Sequence, residues 1–160
     1  MGEMDIRERI LEDHKDVFAD IVNVLLFNGK QNVDPDELED SMARSMYKDD
    51  GSVHELERDT MKYWKQSGVR IACLGLENQS KPDRYMAIRT LAYDGASYRQ
   101  QLLKENKDKP RYPVVTLVLY FGYQEKWQAP RTLYETFSVP DLLKPYVSRG
   151  QSVRDCMAVG

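Results

Sequence analysis

The chain has 160 residues, of which 41% are hydrophobic and 31% are charged, so it can bury one hydrophobic core but is short for two domains. Ten Tyr, four Phe and two Trp supply large apolar groups, which argues against a wholly disordered chain. The formal net charge of -3 argues mildly against a nucleic-acid-binding protein, because that class is usually basic.

The charge is unevenly distributed along the chain. Residues 1–57 hold 6 basic and 16 acidic side chains (net -10), residues 58–104 hold 9 and 4 (net +5), and residues 105–160 hold 8 and 6 (net +2). This separation indicates a side that faces a polyanion, although an acidic segment beside a basic helix face would give the same counts. Two cysteines are too few for a disulfide framework, and no signal-peptide or membrane-spanning run is present, so we expect a cytoplasmic protein.

The N-terminal segment predicts one amphipathic helix followed by connecting structure. Apolar side chains recur at three- and four-residue spacing over 6–26, and Asn28-Gly29 ends the pattern. Residues 30–52 give only a short helical signal near Pro35.

The middle of the chain predicts a hairpin, a second helix and a further strand. The run 69–76 is apolar on both faces beyond Arg70, which is typical of a central strand covered on both sides. The predicted elements are a first hairpin arm within 53–64, a turn at 66–68, a strand at 69–76, a helix at 83–104 with a slight break at Asp94-Gly95, and a strand at 113–122. Trp127 beside Pro130 predicts a loop pinned to the core, with base stacking as the alternative.

Several common catalytic motifs are absent from the sequence. The two histidines have no neighbour at metal-ligand spacing and the cysteines form no CxxC pair, so we expect no zinc site. No GxSxG, Walker A or GxGxxG pattern occurs, so we expect no organic cofactor.

Oxygen-bearing side chains gather instead at the polar end of the apolar strand. Across a hairpin that turns near Gly68, Asp59 and Glu77 are expected to lie opposite each other. Glu77 and Gln79 share one face of the strand, and the Asn78 carbonyl lies between them. Such ligands suit Mg²⁺, but carboxylates at a strand end are more often simply solvated.

Four motifs, in order between residues 12 and 147, resemble those of a known family. They are Asp16-Val17-Phe18; Glu77-Asn78-Gln79-Ser80 with the following Met86, Arg89 and Tyr93; Pro113-Val114 through Leu119-Tyr120-Phe121-Gly122; and Trp127 with Pro130. The family is that of the recombination-promoting nucleases, also called putative transposases of the YhgA-like type, within the PD-(D/E)XK phosphodiesterase superfamily.

The resemblance implies an α/β fold with a PD-(D/E)XK, restriction-endonuclease-like core, in which a mixed central sheet is flanked by helices. It also implies that Asp59 is the strand aspartate and that Glu77 and Gln79 form the (D/E)-x-K pair with Gln in place of Lys. Asp16, or less favourably Glu12, would supply an acidic group from the first helix. Mg²⁺ or another divalent cation would be held by Asp59, Glu77, Asn78 and Asp16.

The implied activity is metal-dependent cleavage of double-stranded DNA that promotes recombination. The residues expected to contact DNA are Lys62, Lys81, Arg84 and Arg89, although Arg89 is as readily interpreted as a buried strut. The alternative is a degenerate, non-catalytic protein of the same fold that at most binds DNA or a partner. We expect a nuclease-like domain over 1–147 and an irregular, truncated tail over 148–160; whether the protein is a homodimer stays open.

Overall fold

The computed structural model describes residues 11–41, 44–49, 52–57 and 60–147, and within 44–49 and 52–57 it describes the backbone alone. The elements in chain order are α1 (Lys15–Phe27), β1 (Leu38–Asp40), β2 (Arg44–Asp49), β3 (Ser52–Glu57), β4 (Thr60–Gln66), β5 (Val69–Gln79), α2 (Met86–Gln100), β6 (Val114–Tyr120) and α3 (Leu133–Thr136). Single 3₁₀ turns lie at Pro35–Glu37, Lys104–Asn106 and Asp141–Leu143.

A four-stranded mixed sheet organises these elements. Its order is β1-β4-β5-β6, in which β1, β4 and β5 are antiparallel neighbours and β6 is parallel to β5. A parallel neighbour requires a crossover, and α2 provides it between β5 and β6. β2 and β3 form a separate antiparallel hairpin. The fold is therefore mixed α/β with a central sheet flanked by helices, as the sequence predicts.

The predicted hairpin is confirmed, and its turn has a clear local cause. Ser67 and Gly68 both have positive φ, 50° and 77°, as a two-residue turn of type I′ requires. The first arm, however, begins at Thr60, and Ser52–Glu57 belongs to the separate hairpin. The prediction of one arm within 53–64 was wrong because two strands occupy that window and its sparse apolar residues do not mark the boundary.

A bulge shifts the pairing of β4 with β5. From Gln66↔Val69 the register reaches Lys65↔Arg70, and after the bulge it continues as Trp64↔Ala72. Thr60 therefore lies opposite Leu76, whereas an unbroken ladder would place it opposite Gly75. Since adjacent residues of a strand point to opposite faces, the extra residue decides which side chains of the two strands share a face.

Each face of β5 is covered by its own helix. Beyond the bulge, alternation sends the even-numbered side chains of β5 toward α1 and the odd-numbered ones toward the other face. Arg70 precedes the bulge and lies over Tyr63, on the face away from α1. The core on the α1 side contains Phe18, Val22, Leu74, Leu76 and Leu119. The core on the α2 side contains Met86, Tyr93, Val118, Tyr120 and Trp127. The expectation of a central strand covered on both sides is confirmed.

The helix boundaries depart partly from those predicted. α1 ends as expected, because Asn28 takes the left-handed conformation and Gly29 follows with φ 82°. α2 covers only Met86–Gln100 of the predicted 83–104. It is continuous at Asp94, where a break was predicted, because the buried Asp94 carboxylate accepts a hydrogen bond of 2.6 Å from Thr116 of β6.

Trp127 pins its loop to the core, as predicted. Its ring packs edge-on against Tyr120 at 5.2 Å between centroids, and its indole N–H donates to the Ala129 carbonyl at 2.9 Å. Within the described ranges, no helix combines the length and apolar character needed to cross a membrane.

Two valines of α1 test the packing against the sheet. Val22 is fully buried and Val24 is 60% exposed. Val22→Ala should lower the free energy of unfolding by about 2 kcal/mol, because two buried methyl groups are lost. Val24→Ala loses the same atoms from the surface and gains helix propensity, so its free energy of unfolding should change by no more than about 0.5 kcal/mol. Urea denaturation measures both, and equal losses would contradict this packing.

Candidate functional site

The candidate site lies at the C-terminal end of β5. The strand extends beyond its apolar run through Glu77, Asn78 and Gln79, which pair with Val118, Leu119 and Tyr120 of β6. Glu77 and Gln79 project from one face and Asn78 from the other. The three polar residues are therefore held by a ladder of backbone hydrogen bonds.

Glu77 is buried and hydrogen-bonded. It is 4% exposed, and its Oε1 accepts from Arg89 Nη2 at 2.8 Å and from Gln79 Nε2 at 3.3 Å. A carboxylate with so little solvent requires such partners, because removal of its hydration is costly. The structure thus brings Glu77 and Gln79 together, and the reading of Glu77 as a solvated strand-end carboxylate was wrong.

Arg89 of α2 links Glu77 to the connection between β5 and α2. Its Nη1 donates to Asp83 Oδ2 at 2.7 Å, and its Nη2 also donates to the Tyr93 hydroxyl at 3.1 Å. Partial burial opposes the charged form, but the bonds to Asp83 and Tyr93 and the charge of Glu77 raise the pKa of Arg89 overall. Arg89 is hydrogen-bonded as a strut would be, but it is not the buried strut of one interpretation, because 40% of its side chain is exposed.

The other face of the strand end carries a second buried acid. Glu12 is 2% exposed, and its Oε2 accepts from Asn78 Nδ2 at 3.0 Å and from Thr60 Oγ1 at 3.2 Å. It enters from residues 11–13, which are helical and are separated from α1 by a bend at His14. The N-terminal region therefore supplies Glu12 to the strand end.

Asp16, the residue preferred from the sequence, is exposed. It lies two positions before Phe18, which is about 200° around the helix from a side chain that packs on the sheet. The structure does not bring Asp16 to the strand end. The bend at His14 is the physical reason, because it interrupts the four-residue spacing that would have placed residues 12 and 16 on one face.

The expectation that Lys62 is a surface contact for DNA needs correction. Lys62 is 3% exposed, its Nζ donates to Asp40 Oδ1 at 2.6 Å and to the Asp13 carbonyl at 3.0 Å, and it lies over the Phe18 ring. Its place on β4 opposite Leu74 directs it toward α1. The hydrogen bond from Lys62 holds the pKa of Asp40 below its usual value.

Of the remaining predicted site residues, two are exposed near the strand end and one lies outside the described residues. Lys81 and Arg84 are exposed and lie in the connection between β5 and α2, directly after the strand end. Asp59 immediately precedes Thr60 in the sequence and lies outside the described residues, so its meeting with Glu77 stays a prediction. Among the residues that the structure describes, no three His, Cys, Asp or Glu side chains gather as a metal site.

Sequence reasoning missed two members of these networks. Thr60 and Asp40 carry no motif, and each acquires its partner from a distant part of the chain, Thr60 from Glu12 and Asp40 from Lys62. The available signal was a lysine between Thr60 and Trp64 on one strand face, which in a buried position requires an acidic partner.

Comparison with known proteins supports the three motifs that follow residue 66, and the match does not reach Asp16-Val17-Phe18. A family model described as "Putative transposase, YhgA-like" matches residues 66–159, more than half of the chain. The match includes Glu77, Gln79 and Arg89 and begins after Asp59 and Lys62. No curated protein and no solved structure matches the chain.

Arg89→Gln tests the ion pair with Glu77. Removal of one partner of a buried pair costs about 3–5 kcal/mol, and the partial exposure of Arg89 reduces the expected loss to about 1–3 kcal/mol. Arg84→Gln is the matched control, because Arg84 is exposed. Its free energy of unfolding should stay within about 0.5 kcal/mol of the parental value. Urea unfolding at pH 7 makes the comparison; equal stabilities of the two variants would argue against the strut.

Asp40→Asn tests the pair with Lys62 through pH. The pKa of Asp40 is lower in the folded chain than in the unfolded one, so its stabilising contribution is present above pH about 4 and is lost as pH falls through the folded pKa. The variant should lose about 1 kcal/mol at pH 7, a small value because the Asp40 side chain is 70% exposed.

The difference in the free energy of unfolding between Asp40→Asn and the parent chain should become smaller as the pH falls below about 4. Unfolding at several pH values measures it, with the exposed Asp20→Asn on α1 as control. A difference that stays constant down to the lowest pH would mean that the charge of Asp40 does not contribute.

Proposed function

The chain belongs to the YhgA-like family of putative transposases, and from this premise we propose that it is a metal-dependent DNA endonuclease that promotes recombination. The observation that carries the proposal is the buried carboxylate of Glu77, which Arg89 and Gln79 orient at the end of the central strand. A buried carboxylate that a charged partner holds in one orientation is a candidate for an active-site group.

The proposal includes a PD-(D/E)XK core. The mixed sheet with a helix on each face agrees with the architecture that the resemblance implies. In this assignment Asp59 is the strand aspartate, and Glu77 with Gln79 is the (D/E)-x-K pair in which Gln replaces Lys.

The donor atoms at the strand end fit a hard cation in kind. Glu77 offers a carboxylate, Asn78 a backbone carbonyl and Gln79 an amide oxygen, and Mg²⁺ prefers oxygen ligands. Asp83, the other described carboxylate near Glu77, lies beyond the strand and is bonded to Arg89, so the proposal takes Asp59 as the second acidic ligand. Glu12 bonds to the side chain of Asn78 and would steady the peptide that carries its carbonyl.

A bound Mg²⁺ would activate a water, polarise a phosphoryl oxygen and stabilise negative charge in the transition state. The chain's own residues would do the rest. Arg89 holds Glu77 in one orientation, so little reorganisation is needed when substrate arrives. The Gln79 amide can orient the attacking water but adds no positive charge, unlike the lysine that it replaces.

The cations around the strand end would bind the DNA backbone. Lys81 and Arg84 are exposed beside the site and can neutralise phosphates without losing a structural partner. Arg89 would combine two roles, because its inner side bonds Glu77 while 40% of its side chain remains exposed to a phosphate. Lys62 has no part in this surface, since it is buried against Asp40.

Nicking of supercoiled plasmid DNA tests the proposal. The purified chain should convert supercoiled to open-circular plasmid with Mg²⁺, and EDTA should abolish the conversion. Glu77→Gln removes the charge while retaining shape and should reduce the rate by about 100-fold or more. Asp59→Asn should act in the same direction.

The matched control is Glu105→Gln, an exposed acid in the 3₁₀ turn after α2. It should cleave at the parental rate. Cleavage that resists EDTA, or that is equal in Glu77→Gln and Glu105→Gln, would defeat the proposal. A folded parent chain that binds DNA without cleaving it would favour the alternative of a non-catalytic nuclease-fold protein.

A further inference from the structure

A cavity lies at the opposite end of β5 from Glu77. It has a volume of about 410 Å³ and is lined by the hairpin turn, by β4 and β5, and by the segment that follows α2. Arg70 in this cavity and Glu77 are seven residues apart on one strand, which corresponds to about 23 Å. The cavity is therefore separate from the candidate active site.

Two tyrosines form the aromatic part of the cavity. Tyr63 and Tyr112 meet edge-on at 5.6 Å between ring centroids, and the Arg70 guanidinium lies 3.7 Å above the Tyr63 ring. Burial, helped by the neighbouring Tyr63, raises the pKa of Tyr112 to about 12, so its hydroxyl is neutral at pH 7. Guanidinium groups and aromatic rings are the side chains on which nucleobases stack.

The aromatic part is rigidly built. The Gln101 side chain is buried, and it both donates to the Tyr112 carbonyl at 3.0 Å and accepts from the Tyr112 amide at 2.9 Å. Glu39 accepts hydrogen bonds from Arg70 and Lys65, which keeps the guanidinium over Tyr63. A surface held in this way loses little entropy when a ligand binds.

The cavity carries an excess of positive charge. Glu39 offsets one of the two cations that it binds, and Lys109 and Arg111 add two more at the rim. Lys109 donates to the Asn106 side chain, and Arg111 donates to the carbonyls of Asn106 and Lys109, so both are anchored by neutral oxygens and keep their charge for an anion. The net charge of the lining side chains is thus +3.

We infer that this cavity binds a nucleotide, with the phosphate at Lys109 and Arg111 and the base against Arg70 and the tyrosines. The volume suits one such unit, since small-molecule pockets have about 300–1,000 Å³. The unit is either a free nucleotide or the phosphorylated end of a DNA strand, which share this chemistry. The inference does not depend on cleavage at Glu77.

Isothermal titration of the full chain with 5′-deoxyadenosine monophosphate tests the inference. The nucleotide should bind more tightly than inorganic phosphate, which lacks the base, and than deoxyadenosine, which lacks the phosphate. Lys109→Gln with Arg111→Gln should weaken nucleotide binding about tenfold or more, because two charged contacts are lost. Lys30→Gln with Lys126→Gln, which are exposed and do not line the cavity, is the matched control and should bind as the parent does.

Arg70→Gln is a second variant, which keeps Lys109 and Arg111. It should reduce the difference in affinity between the nucleotide and inorganic phosphate, because part of the surface for the base is lost. Competition by a 5′-phosphorylated oligonucleotide would identify the strand end as the ligand, and lack of competition would identify the free nucleotide. Equal binding of nucleotide and phosphate, or equal affinities of the rim and control variants, would overturn the inference. The inference would also be overturned if Glu77→Gln lost nucleotide binding while the variant with Lys109→Gln and Arg111→Gln retained it.

Discussion

Burial of β5 on both faces is the constraint on which the rest of the structure depends. The strand has a helix over each face and a strand on each side, so Leu74 and Leu76 are enclosed on the α1 face and Cys73 on the other. The same ladder continues through Glu77 and Asn78, where the side chains become polar. Each of these polar groups must find a partner close by, because buried polar atoms are costly without one.

The two helices meet this requirement in different ways. α2 contributes Arg89 to Glu77 on one face, and the helical residues before α1 contribute Glu12 to Asn78 on the other. The end of the strand therefore has an acid oriented by a cation on one side and a peptide steadied by an acid on the other. Both arrangements restrict motion at the place where the proposed chemistry requires fixed ligands.

The opposite end of β5 is organised by different forces. There the hairpin turn leaves Tyr63 and Arg70 side by side, and the segment after α2 closes over them with Tyr112. Cations gather at both ends of the strand. Those at the Glu77 end come from the basic segment 58–104, whereas the cavity also draws Lys109 and Arg111 from the segment that follows. An overall charge of -3 conceals this pattern, since the acidic excess lies entirely in the first 57 residues.

Local patterns in the sequence were sufficient for the hairpin turn at Ser67-Gly68, the end of α1 at Asn28-Gly29, the central apolar strand and the family motifs around Glu77 and Gln79. Each of these depends on backbone preferences or on side-chain alternation over a few residues. Tertiary packing alone decided that Lys62 is buried against Asp40, that Glu12 rather than Asp16 lies at the strand end, and that Asp94 stays within α2. The physical reason is that a charged side chain is stable inside the fold only beside its partner, and the partner comes from a distant segment whose position no local pattern records.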